Sequence, residues 1–418
     1  MTHIDIKTKI PHPESQNIID AIAGFEAKSM QGQMPIVWDR AENFNVWDCW
    51  GNKFLDFTSS IFVANCGHST INEKLKEQLD KGLIHSYNYP TVEKMNLLSD
   101  IYALAQKEGH RFYQKTFLAS SGAEANESAI KIMRIAGTKK NKFKKIIISY
   151  EGSMHGKTAL TENLSHNSPH LSSDPLIIRL SYPTNYTAYR EHIKILETRK
   201  QQICGIIFET YQGWSARFMP ARYVKEMVDY CILQNIIVCF DEIQSGFYRT
   251  GPLFGFQHYK VEPDLVTFGK GFGGGIPISG VGGRNYLLDL PEQGQLSSTH
   301  SGNPLGCVGA SASLEALDNI DKLEFQSLIH GFNKYIDLIF NAHTGLLTSV
   351  NQSGLLAGLV FKSKEVADKV ATECMKKGLL VVNTGRESIK LAPPLTITRD
   401  ALIEGMEVLH KAILHVKK

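Results

Sequence analysis

Apolar residues recur along this chain with two different spacings. In the central part they gather into short, nearly unbroken runs: TFLAS (Thr116–Ser120), KIIISY (Lys145–Tyr150), CGIIFE (Cys204–Glu209), IIVCFD (Ile236–Asp241) and DLVTFG (Asp264–Gly269). Continuous Ile/Val/Phe runs predict strands buried on both faces, as in a mostly parallel sheet covered by helices. Longer stretches between them carry helical spacing. The clearest begins near Pro220 and places Val224, Met227, Val228 and Cys231 at i, i+3, i+4 and i+7.

The chain ends read differently. VWDCWGNKFLDF (Val46–Phe57) alternates aromatic and polar residues around Trp50-Gly51-Asn52, the pattern of a β-hairpin. The last hundred or so residues alternate helix and strand: helices over Lys322–Ala342 and Glu365–Lys377, and a strand near Gly354–Phe361. The expected fold is therefore α/β, with a mostly parallel central sheet in a large domain and a smaller α+β domain built from both chain ends. The expected boundaries are 1–67 and 311–418 for the small domain and 68–310 for the large one.

Composition narrows the function. With 43% hydrophobic and 21% charged residues the chain has ample core for a globular protein. A net charge of +3 gives no reason to expect nucleic acid or a membrane surface as partner. The N-terminal residues lack the pattern of a signal peptide, and no apolar run approaches the ~18 residues of a membrane helix. A cytoplasmic enzyme is the expectation. Seven scattered cysteines form no C-x-x-C pair, and the fifteen histidines form no H-E-x-x-H, so no metal site is expected.

In open α/β sheets ligands gather at the carboxyl ends of the strands. After the first run comes Ser120-Ser121-Gly122-Ala123-Glu124, small residues that open a helix; this is either a phosphate-sized anion site or an ordinary N-cap. Asp241 closes the fourth run, with Gln244 three residues on. It either caps the following turn or holds the N–H of a pyridinium ring, with Gln244 donating to an oxygen on that ring. Lys270 follows the fifth run between Gly269 and Gly271. Buried there, its amine would lose basicity and become a nucleophile toward a carbonyl. Gly269, Gly271 and Gly274 match G-x-G-x-x-G, but Ile276-Pro277-Ile278 follows where a dinucleotide site needs a helix. Gly152–Thr158 falls one residue short of a phosphate loop.

Taken together, VWDCWGNKFLDF, SSGAEANESAIK, SYEGSMHGKT, FETYQG, FDEIQSGFYRTG, PDLVTFGKGFGGGIPISGVGG, THSGNPLG and LAPPLTIT resemble the class III aminotransferases of the pyridoxal 5′-phosphate (PLP) fold-type-I superfamily, from about Val46 to about Thr398. The resemblance implies that Lys270 carries PLP as a Schiff base and shuttles the substrate proton. It implies that Asp241 pairs with the pyridine nitrogen, Tyr150 stacks on the ring, Gln244 lies near the ring oxygen and Glu209 lies behind the ring. Ser121, Gly122 and Ala123 would bind the phosphate. Thr299 would complete the phosphate site of the neighbouring subunit, which implies a homodimer with shared active sites.

Two departures bear on the substrate. Family members acting on α-amino acids or 2-oxoglutarate commonly carry arginine two residues before the A-P-P-L motif, where this chain has Lys390. They often have Gln-Gly-Glu where this chain has Gln212-Gly213-Trp214. Lysine cannot reproduce the bidentate guanidinium fork. The expected amine donor is accordingly not a plain α-amino acid, with Arg386 or Arg217 left to bind a carboxylate of a second substrate. The leading expectation is an aminotransferase with a keto or aldehyde acceptor. A phospho-lyase, racemase or aminomutase of the same family would share these cofactor residues.

Overall fold

The apolar runs fold into one seven-stranded sheet. The computed structural model describes residues 2–59, 67–165, 174–213 and 217–417. Its strands are β1 (Lys115–Ala119), β2 (Ile146–Tyr150), β3 (Ile177–Leu180), β4 (Ile203–Glu209), β5 (Ile237–Asp241), β6 (Leu265–Phe268) and β7 (Ser279–Gly283). They lie in the order β1-β7-β6-β5-β4-β2-β3. The neighbours from β6 to β3 pair in parallel, while β7 runs antiparallel to both β6 and β1. All five strands expected from the apolar runs are present, each within about a residue or two of its expected ends.

Two strands had no apolar signature long enough to find, and β7 is the instructive one. Its sequence, Ser-Gly-Val-Gly-Gly, reads as a loop. A Cβ on Gly280 would come within 2.7 Å of the Phe117 carbonyl oxygen and of the Phe268 ring, and one on Gly282 within 2.1 Å of the Tyr113 ring. Glycine lets large neighbours close over the strand, so packing rather than β propensity keeps it extended.

The two faces of the sheet are chemically distinct. Ile147, Ile207, Cys239, Leu265 and Val281 pack against Ala125, Ala129 and Met133 of helix α1 (Gly122–Lys140). The other face is aromatic: Tyr150 stacks on Phe208 at 5.5 Å and Phe208 on Phe240 at 4.9 Å. Helix α2 (Ala221–Leu233) buries Val224, Met227, Val228 and Cys231 as its spacing predicts, with Pro220 as its N-cap.

Contacts divide the chain into two compact units, residues 73–319 with the large sheet and residues 1–72 together with 320–418. The second unit is thus assembled from both chain ends. It holds the expected hairpin, Asn45–Asp48 against Lys53–Asp56, turned at Gly51 with a left-handed φ of 79°. It also holds a four-stranded sheet containing Leu347–Ser353, Leu356–Phe361 and Ser388–Leu391, and helices Lys322–Ala342, Lys364–Lys376 and Arg399–Lys417. Among the described residues no helix is long and apolar enough to cross a membrane.

Candidate active site

At the carboxyl end of the sheet, strand register brings three polar residues level. Asp241 is paired with Glu209 on one side and Thr267 on the other, so their side chains leave the same face. The Asp241 carboxylate is buried and held from three directions. Asn126 of α1 donates its amide N–H to Oδ2 at 2.7 Å, His155 Nδ1 meets the same oxygen at 2.8 Å, and the Ile243 amide donates to Oδ1 at 3.0 Å. Asn126 is fixed in turn: it donates to the His155 carbonyl at 2.7 Å and accepts from Thr267 Oγ1 at 2.6 Å. A buried carboxylate with this many donors keeps one rotamer and one orientation.

Glu209 accepts the Met154 amide at 2.9 Å and the Gly213 amide at 2.8 Å. Burial pushes its carboxyl up to about 7; the His155 ring opposes that shift and the Asp241 charge adds to it. A Cβ on Gly213 would meet Glu209 Oε1 at 2.9 Å, Met154 Cβ at 3.1 Å and Gln244 Oε1 at 3.3 Å, so these three side chains converge on one glycine.

Lys270 sits just past β6 with a left-handed φ of 44°. For a lysine this conformation costs about 1–3 kcal/mol, and such strain clusters at functional sites. Desolvation lowers the Lys270 amine, opposed by the charges of Asp241 and Glu209. Among the described residues its Nζ makes no hydrogen bond. Desolvation, by reducing the basicity of the amine, favours a lysine nucleophile, while the two carboxylates oppose that effect.

Ser121 is the N-cap of α1. Its Oγ accepts the Glu124 amide at 3.3 Å, while the Glu124 carboxylate accepts the Ser120 and Ser121 amides at 3.0 and 2.8 Å. The capping box leaves the amides of Gly122 and Ala123 without a partner among the described residues. Ser279 of β7 ties this turn to the sheet by donating to the Ser121 carbonyl at 2.7 Å.

Not every expected residue joins this group. Tyr150 does not: it is in line with Phe208 and Phe240, on the face opposite Asp241. Its ring is wholly buried against Phe208, Tyr223 and His192, with its hydroxyl accepting from Tyr223 at 3.1 Å. The expectation that it stacks on a ring held by Asp241 is therefore corrected. β2 is buried on both faces, so its sequence gives no parity to tell one face from the other. Thr299 is exposed on a turn. Lys390, buried on the strand Ser388–Leu391, and Arg386, exposed on the preceding turn, belong to the other compact unit. Trp214 lies outside the described residues. His155, Asn126 and Thr267 were missed. The signal for Asn126 was a polar residue on the buried stripe of α1, between Ala125 and Ala129.

Known proteins match most of the chain. The model of the aminotransferase class-III family matches residues 27–413. The chain is 30% identical over 395 residues to the acetylornithine/succinyldiaminopimelate aminotransferase of Buchnera aphidicola, covering 90% of this chain and 92% of that protein. It is 29% identical to the 2-aminoadipate transaminase of Pseudomonas putida over 91% and 96% of the two chains. The crystal structure of acetylornithine aminotransferase from Elizabethkingia anophelis superposes with a TM-score of 0.82 at 27% identity, over 96% of this chain and 99% of that one. The chain belongs to the class III aminotransferases. It is a PLP-dependent enzyme that moves an amino group from an amine donor to a keto acceptor.

The residues present fit PLP on observations of this fold alone. Two unpartnered amides at the N-terminus of a 19-residue helix suit its phosphate. A fixed, buried carboxylate suits a protonated ring nitrogen, and an amine depressed by burial suits an aldehyde.

Proposed function

We propose that Lys270 is the lysine that carries PLP and that Asp241, Glu209, Gln244, Ser121, Gly122 and Ala123 hold it. The observation that carries this reading is Lys270 just past the carboxyl end of β6 with a left-handed φ of 44°, at the same end of the sheet as the paired Asp241 and Glu209. Bound PLP supplies the carbonyl that receives the amino group and the electron-withdrawing ring that stabilises charge at the substrate carbon. The protein's residues do the rest. Asp241 keeps the ring nitrogen protonated, with His155 and Asn126 holding its Oδ2 in place. The amides of Gly122 and Ala123 anchor the phosphate. Lys270 Nζ would take the proton from the substrate carbon and hold it as an ammonium near the charges of Asp241 and Glu209.

The donor in this reading bears its reacting amine on a carbon without a carboxylate. Lys390 supports it, because an ammonium offers an α-carboxylate a point charge where a guanidinium would offer a fork. Trp214, where relatives often place glutamate, points the same way. Among the relatives, several are named for acetylornithine. A spectral titration of the holoenzyme with terminal amines and with standard α-amino acids tests this. Efficient conversion of the α-amino acids alone would sink it.

The working form in this account is a homodimer in the cytoplasm, Thr299 completing the phosphate site of the partner. The apolar residues Leu79, Ile84, Tyr89, Val92 and Met95 are 49–74% exposed, a run of surface that a second copy would cover. The six described cysteines are all free, which suits a reducing compartment. Analytical ultracentrifugation tests the dimer: a monomer at micromolar concentration would contradict it.

A further inference from the structure

The active site occupies the carboxyl ends of the large sheet, and a cavity of about 420 Å³ opens at the opposite, amino ends. Its wall includes Cys204 near the start of β4, Ile237 at the start of β5 and Asp264 just before β6. Four residues of β5, about 13 Å of strand, separate Ile237 from Asp241. The cavity has the size of a small-molecule site. Much of its wall is apolar, with Ile232, Ile237 and Leu290 among the lining residues. Ile232 lies one helical turn past Val228 on α2, but the buried stripe has ended by then and Ile232 is 61% exposed. Leu233 and Phe143, the sequence neighbours of Ile232 and Lys144, are exposed as well.

Three lysines share the cavity with these apolar residues. Lys139 and Lys140 end α1, where the helix dipole alone gives cations a reason to gather. Lys144 has no such reason, and it is buried. Its Nζ donates to the Asn235 carbonyl at 2.8 Å, with the Gln234 carbonyl 3.5 Å away. An ammonium has three N–H groups, and these two neutral acceptors leave one over. Burial lowers the Lys144 amine and the Lys140 charge lowers it further, against a smaller opposing effect of Cys204. Among the described residues the one carboxylate on the wall is already engaged: Asp264 accepts the Val238 amide at 3.0 Å and the Arg284 guanidinium at 3.1 Å.

We propose that this cavity is a second ligand site, which takes a small organic carboxylate with an apolar body. The acid group lies on Lys144 and Lys140, and the body lies against Ile232, Ile237 and Leu290. A charged acceptor is the strongest partner for the remaining ammonium N–H, and it offsets the repulsion between the two lysines. The apolar body gains by leaving water. The site shares no residue with the cofactor site, so its occupant does not compete with the amine substrate.

The test is calorimetric titration of full-length holoenzyme whose PLP has been capped with aminooxyacetate, which closes the active site to the probe. The probes are 4-phenylbutyrate and 4-phenylbutan-1-ol, the same skeleton with and without the charge. Phenylbutyrate is expected to bind with a Kd of about 1 mM or tighter, and the alcohol about 10- to 100-fold more weakly. Lys144→Met should remove that preference for the acid. Lys140→Glu and Ile232→Glu, both at exposed positions, should weaken phenylbutyrate at least about tenfold by placing a like charge in the cavity, and they keep the test intact should Lys144→Met fold poorly. No binding of phenylbutyrate to the wild type, equal binding of acid and alcohol, or binding indifferent to both exposed variants would overturn the site.

Discussion

Asn126 is the most economical place to perturb the active site without touching a charged group. It donates to Asp241 and to the His155 carbonyl, both at 2.7 Å, and accepts from Thr267 at 2.6 Å, all of it buried. Asn126→Ala removes one hydrogen bond to a charged acceptor, about 1.5–3 kcal/mol, and leaves the Thr267 hydroxyl and the His155 carbonyl unpaired at about 1–3 kcal/mol each. Allowing for partial relaxation, a loss of about 3–5 kcal/mol is expected, read as a lower urea midpoint at unchanged slope. The specific part of the reasoning is the orphaned Thr267 hydroxyl. Thr267→Val alone should cost about 1 kcal/mol, but nothing in the Asn126→Ala background, where the hydroxyl has no acceptor to lose. The coupling of about 1 kcal/mol or more is the quantity to measure. Strictly additive losses would refute the network.

Lys270→Ala should lower the transamination rate at least about 10³-fold, because nucleophile and proton shuttle disappear together; steady-state assay checks this. Gly282→Ala should destabilise by about 1–3 kcal/mol or more, since its Cβ would lie 2.1 Å from the Tyr113 ring, with denaturation as the readout. The stability that Glu209 and Glu242 contribute should fall as pH rises. Burial pushes Glu209 and Glu242 up to about 7 from an ordinary value of 4.5. Between those values the folded chain holds protons that the unfolded chain has released. The contribution is thus full below about pH 4.5 and lost as pH passes 7, a few kcal/mol per group. Urea midpoints of the wild type and Glu242→Gln from pH 5 to 8 check the sign: the wild type should lose ground against the variant as pH rises, and a wild type that gains on it would contradict the reasoning.

How far the sequence reached depended on what each residue type reports. Apolar runs located β1, β2, β4, β5 and β6 within a residue or two, because a strand buried on both faces has nowhere to place a polar residue. The residues at their carboxyl ends then became candidates by position, and Lys270, Asp241 and Glu209 are brought together by the fold. The same double burial hid the orientation of Tyr150: with every position of β2 apolar or small, no alternation marked which side chains share the Asp241 face. β7 was invisible because its glycines are dictated by Phe117, Phe268 and Tyr113, neighbours distant in sequence. His155 and Asn126 were hidden for a related reason. Each is an ordinary polar residue whose task is set by a contact with Asp241, 86 and 115 residues away.

The identity of the cofactor-bearing lysine is the claim on which the rest depends. Borohydride reduction of the holoenzyme, followed by peptide mapping, fixes PLP to the amine that holds it. The account predicts a single labelled peptide containing Lys270, lost in Lys270→Ala. Label on another lysine, such as Lys157 or Lys390, would contradict it.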